Sequence, residues 1–141
     1  MLNVGIAGCR RGCGLEPPAF VIGSEAVYDD LVVKLAPRRV LPDPRLVEAA
    51  RDALPGAPAL PIGTSAIVGG TRGHDIEAME GFAVLRACEL AGIPAVEVRA
   101  VANEIEEEDR SRWRFEDAFA ALGQALPGLV DSCTAAMSAS P

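Results

Sequence analysis

The segment Ala91-Gly92-Ile93-Pro94-Ala95 constrains the fold more than any other stretch of the chain. A glycine at that point supplies the left-handed residue that ends a helix, and a proline two positions on cannot continue one. Upstream, residues 75–91 carry Met79, Ala83, Ala87 and Leu90 at helical spacing. Phe82, Leu85 and Cys88 add apolar surface on the flanks, so a largely buried helix is predicted. Downstream, residues 95–102 alternate, with Val96, Val98 and Ala100 on one side and Glu97 and Arg99 on the other, which predicts a strand. A helix delivered into a strand by so short a join belongs to a layered α/β fold.

Local signals place the other elements. Residues 2–7 read as a short buried strand closed by Gly8, residues 9–18 as a Gly/Pro loop, and residues 19–28 as a strand interrupted by Gly23. Asp43 followed by Pro44 is an N-cap with proline at the first helical position, and the helix should run to Leu54, before Pro55-Gly56. Residues 60–68 predict a strand, Gly69 to Gly73 a loop, 103–112 a charged loop, and 114–126 an amphipathic helix. Its apolar stripe is Phe115, Ala118, Phe119, Leu122 and Leu126. The expectation is an α/β fold with a layered mixed sheet flanked by helices. A single domain is expected over 1–131, with 132–141, small and polar, as a disordered tail. A chain of 141 residues fits one domain of ~100–150 residues.

Charge narrows the partners. The formal net charge is −7, and Arg10-Arg11 and Arg38-Arg39 are only pairs, so no nucleic-acid footprint and no attraction to an anionic membrane is expected. No stretch approaches the ~18 apolar residues of a membrane span. Residues 1–9 lack the basic start of a secretory leader, and a cytoplasmic protein is expected. Cys9 and Cys13 have no second Cys or His pair to complete a metal site. Free thiols are therefore expected, with no metal and no cofactor.

Three clusters could carry chemistry. Gly5-Ile6-Ala7-Gly8 could let a flat ligand approach the backbone, or could simply be a tight strand exit. Met79-Glu80 near the start of a helix could accept hydrogen bonds from the vicinal hydroxyls of a ribose beside an adaptable apolar wall. Equally, Glu80 could be a first-turn acid favoured by the helix dipole, with Met79 as core filler. Asn103, at the end of the 95–102 strand, could offer a donor and an acceptor to a purine, or cap the loop beyond.

Taken together the clusters resemble one family. EAMEGFAVLRACELAGIPAVEVRAVANE is similar to the ribose-binding helix and following strand of the nucleoside phosphorylase superfamily, NVGIAG to its Gly-rich strand, and IGTSAIVGGT to its base-wall strand. DRSRWRFEDAFAAL, with Trp113, resembles the futalosine hydrolases within it. The resemblance implies a purine nucleosidase that hydrolyses the N-glycosidic bond of futalosine and releases hypoxanthine, in menaquinone biosynthesis. It implies that Glu80 binds ribose hydroxyls, Met79 packs on the sugar, and Asn103 holds the leaving purine. Ala7 and Gly8 lie against the base in this reading, with Ala66 and Ile67 across from them. Arg99 is expected to partner a carboxylate such as Glu80.

The family places strands before the GIAG segment, including a Glu that positions the attacking water; Met1 falls just before GIAG, and residues 31–40 look shortened. An N-terminally truncated domain with an exposed sheet edge, and hence a homo-oligomer, is expected. A catalytically inactive remnant that binds nucleosides or pairs with a full-length relative is the alternative. A phosphorylase is a third reading, with Arg10 and Arg11 as its only nearby anion ligands. His74 and the acids of 104–109 are expected to be loop residues.

Overall fold

A computed structural model of the chain describes residues 1–29 and 38–139. Its elements run β1 (Leu2–Cys9), β2 (Phe20–Tyr28), β3 (Arg39–Val40), α1 (Pro44–Ala53), β4 (Ala59–Thr64), β5 (Ile76–Ala78), α2 (Gly81–Leu90), β6 (Val96–Glu104), a 3-10 turn (Arg110–Arg112) and α3 (Phe115–Ser138). Most of the stretch 31–40 lies outside the described residues.

The sheet is mixed and flanked by helices. Its order is β3-β2-β4-β5-β1-β6, with β1 parallel to β6, β4 parallel to β2 and β5, and the other pairs antiparallel. It also curls until Phe20–Ile22 of β2 bond antiparallel to Val98–Ala100 of β6. The closure leaves β1, β4, β5 and β6 each with two neighbours and β2 with three, so that among the described strands only the two-residue β3 lies at an edge. The expected long exposed edge is therefore not present among the described strands. Ala7, Cys9, Val21, Ile62, Ile76, Ala78 and Val101 form one buried cluster within this arrangement.

Helix α1 starts as expected: Asp43 accepts from the Arg45 N–H at 2.9 Å and Pro44 opens the first turn. Its Leu46, Ala49 and Ala50 pack with Ile22, Val96 and Val98 of the sheet and with Leu129 and Cys133 of α3. Helix α3 corrects the expected disordered tail, because it continues through Pro127 to Ser138. Alanine is the strongest helix former, and Cys133 is buried, so a stretch that looked merely small and polar has both propensity and packing.

Residues 75–91 also differ from expectation. The helix begins only at Gly81, because Ile76–Ala78 pair with β4 on one side, and Glu77 and Ile76 with β1 on the other. Two sheet neighbours override the helical spacing. The buried face of α2 is Gly81, Leu85 and Cys88, whereas Met79 and Leu90 of the predicted stripe are 47% and 72% exposed. Strand β4 ends at Thr64, short of the predicted 68. There the Ser65 hydroxyl accepts from the Ile67 N–H at 3.1 Å and turns the chain, competing with the ladder.

Candidate active site

Strands β1 and β6 build the floor of the site. Their parallel register sets Gly5 beside Arg99 and Ala7 beside Val101; an irregularity between Ala7 and Gly8 then brings Gly8 opposite Asn103. A Cβ on Gly8 would lie 3.1 Å from the Asn103 amide nitrogen, so glycine permits this close approach. Along β1 from Asn3 to Gly8 runs a cavity of about 640 Å³. Val68, Met79, Glu80, Arg99 and Asn103 line it, and Arg110, Trp113, Phe115 and Phe119 close the far side.

Most of the predicted residues meet here. Ala7, Gly8, Met79, Glu80 and Asn103 all line the cavity. Ala66 and Ile67 do not; both are exposed, Ile67 at 70%, because the turn at Ser65 carries them away and presents Val68 instead. Asn103 is buried, and its amide nitrogen donates to the Glu104 carbonyl at 2.8 Å. That bond fixes the amide plane and leaves its oxygen as an acceptor.

Glu80 is the residue before α2, and its side chain is 61% exposed. Arg99 reaches it from below, Nη1 to Oε2 at 3.1 Å, as expected of a partner residue. The same guanidinium donates through Nε to Glu97 Oε1 at 2.7 Å. Glu97 is fully buried and Arg99 nearly so. Loss of hydration pushes the Glu97 carboxyl up, against the pull of Arg99. Two glycines make room: a Cβ on Gly5 would collide with the Arg99 guanidinium, and one on Gly81 with the Glu97 carboxylate.

Sequence reasoning assigned no role to Glu77. It lines the cavity, but its carboxylate accepts from the Gly69 N–H at 2.6 Å and the Thr71 N–H at 2.7 Å, tying the Gly-rich loop to β5. Arg10 holds the same loop from outside, donating to the Thr71 carbonyl at 2.9 Å and the His74 carbonyl at 3.1 Å. Arg11 pairs with Glu104 at 2.8 Å. These arginines, the anion ligands of the phosphorylase reading, are engaged elsewhere and do not line the cavity. His74 faces Asp29 at 3.1 Å. Among the acids of 104–109, Glu106 pairs with Arg10 and Glu107 with Arg112. Trp113 is held by its ring N–H on the Glu107 carbonyl at 2.9 Å, with Arg110 over its face.

A closed mixed sheet whose Gly-rich strand, acidic helix start and strand-end amide converge on one cavity defines a class. Residues 1–135 match the Phosphorylase superfamily, and the chain belongs to it. Within that class it is similar to the futalosine hydrolase of Streptomyces coelicolor, at 36% identity over 96 residues, 61% of this chain and 41% of that protein. It is also similar to the futalosine hydrolase of Thermus thermophilus, at 38% identity over 58 residues, 41% of this chain and 26% of that protein. These matches span less than half of either relative. Among solved structures, the fold resembles the MTA/SAH nucleosidase of Colwellia psychrerythraea in complex with adenine, with a TM-score of 0.82, 20% identity, and 94% and 66% of the two chains covered. It likewise resembles the futalosine hydrolase of Helicobacter pylori, with a TM-score of 0.80, 15% identity, and coverage of 92% and 66%. No described helix is long and apolar enough to cross a membrane.

Proposed function

We propose that this chain is the nucleoside-binding portion of a cytoplasmic purine nucleosidase that hydrolyses the N-glycosidic bond of futalosine, releasing hypoxanthine in menaquinone biosynthesis. The observation that carries this reading is the cavity shared by Glu80 and Asn103 on the glycine floor of β1. A purine lying on Ala7 and Gly8 meets the amide of Asn103, and its ribose meets the carboxylate of Glu80 beside Met79. Cleavage of such a bond develops positive charge on the sugar and negative charge on the departing base. A carboxylate on the hydroxyls favours the first. The amide, through its free N–H and its oxygen, suits a 6-oxopurine that leaves protonated. The named activity of the two futalosine hydrolases supports the substrate.

A second reading is nucleoside binding without turnover by these residues alone. It is favoured by the engagement of both cavity carboxylates, Glu77 with backbone N–H groups and Glu80 with Arg99, which leaves neither poised as the base for a water. The exposed apolar positions of α2, Ala83, Ala87 and Leu90, support a homo-oligomer, which sedimentation of the purified chain would reveal. Chromatography of hypoxanthine released from futalosine, run beside calorimetry of futalosine binding, tests both readings. Release establishes the nucleosidase, binding without release establishes the second reading, and neither binding nor release overturns both.

A further inference from the structure

Glu97 is a buried acid that the reaction outlined above does not use. It is fully buried on β6, a strand covered on both faces, and an ionised carboxylate there loses its hydration. Oε1 accepts from Arg99 Nε at 2.7 Å, while Oε2 has no partner among the described residues. The arrangement is therefore poor as plain stabilisation, since a buried pair needs its remaining polar atoms satisfied. It is well made for direction. Arg99 carries a flat, rigid fork on a flexible stem. Besides Glu97 and Glu80, the fork has among the described residues only a 3.5 Å contact with the Ile6 carbonyl. Gly5 and Gly81 both leave the volume this pair occupies, so the backbone on either side is shaped around it.

We infer that Glu97 is a positioning residue: by holding the Arg99 guanidinium from inside the fold, it sets the plane in which Glu80 presents its carboxylate to sugar hydroxyls. The inference rests on the nucleoside-binding reading of Glu80. Glu97 touches no ligand; it acts through Arg99. A carboxylate that merely held the fold together would affect every ligand of the cavity alike, whereas this one acts only on the sugar end.

Binding of inosine and of hypoxanthine to the purified chain, measured by calorimetry, separates the two. Glu97→Leu removes the acceptor and should weaken inosine about tenfold or more, the scale of a lost charged hydrogen bond, with hypoxanthine unchanged. Glu97→Gln keeps a carbonyl acceptor for Arg99 Nε and should restore most of the inosine affinity. Should the leucine variant fail to fold, Glu97→Asp keeps the charge but withdraws the carboxylate by one methylene, and the same split is required of it. Equal weakening of both ligands, or no weakening of inosine, overturns the inference. A wild-type chain that does not bind inosine more tightly than hypoxanthine overturns the ribose reading of Glu80, and this inference with it. A preference for inosine that Glu97→Leu leaves undiminished overturns the inference alone.

Discussion

Gly5 and Arg99 face each other across the β1–β6 ladder, and the Arg99 guanidinium fills the space that a side chain at position 5 would need. Gly5→Ala should therefore displace Arg99 from Glu80. Overpacking of this kind typically costs about 1–3 kcal/mol. A urea midpoint equal to that of the unmodified chain would show that Arg99 does not lie over Gly5.

Glu80→Gln keeps the shape of the side chain and removes the charge that attracts Arg99 and that, in the proposed function, accepts from two hydroxyls. Nucleoside affinity should fall about tenfold, as expected for charged hydrogen bonds, with free-base affinity nearly intact. If calorimetry finds nucleoside binding unchanged, Glu80 is only a charge at a helix start.

Asn103→Asp should lower affinity for hypoxanthine relative to adenine. The Asn103 amide donates to the Glu104 carbonyl, and a carboxylate cannot. A 6-amino group supplies the hydrogens an aspartate wants, and a 6-oxo group does not. Equal loss for both bases, or none, would remove Asn103 from base recognition.

Glu97 should leave a mark on the pH dependence of stability. Its folded-state carboxyl is raised above the ordinary value of 4.5, chiefly by burial. Between the unfolded and folded values the native state binds the extra proton, so stability contributed by this group is complete below about 4.5 and declines as pH rises through the folded value. Glu97→Gln abolishes that titration. Relative to the unmodified chain, the variant should gain stability between pH 4 and pH 8, read from urea midpoints. A difference that stays constant across that range would mean that the acid titrates as if exposed.

Cys9 is buried with its thiol pushed up to about 12, by burial first and then by Cys13 and nearby acids. The thiolate is the reactive form. Alkylation of the native chain at pH 8 should modify the partly exposed Cys13 and spare Cys9, Cys88 and Cys133, which are buried. Mass spectrometry showing Cys9 modified as fast as Cys13 would contradict the burial.

Where a signal is local, the sequence was readable. Asp43-Pro44 and Gly92-x-Pro94 mark α1 and the end of α2 because capping is decided by a few adjacent residues. Strand β5 was not readable, since three residues become a strand only through partners on both sides. The alternation of β6 identified a strand but not its surroundings. Glu97 and Arg99 were set on the face opposite Val96, Val98 and Ala100 with nothing to say what covers it, and in the fold both faces of β6 are buried. Two opposite charges at i and i+2 on one strand face are the trace such a buried pair leaves. In the site, Met79, Glu80, Ala7, Gly8 and Asn103 stand out as clusters in the sequence, take their roles from the resemblance, and converge on one cavity. Ala66 and Ile67 were misplaced because β4 was drawn past Thr64. Glu77 was passed over because its partners are backbone N–H groups, which no side-chain motif announces.

The pairing of β1 with β6 also bears on how the molecule comes into being. Ile6 and Arg99 are 93 positions apart, yet they meet in the floor of the site. A ribosome adding about 5–20 residues per second needs roughly 5–20 s to make the stretch between them. During that interval the apolar β1 has emerged while its parallel partner has not been made. Pairing so remote also carries a large loop-closure cost and slows folding. The floor of the candidate site thus cannot form until β6 has been made, and β1 is the segment a chaperone would have to shelter until β6 arrives.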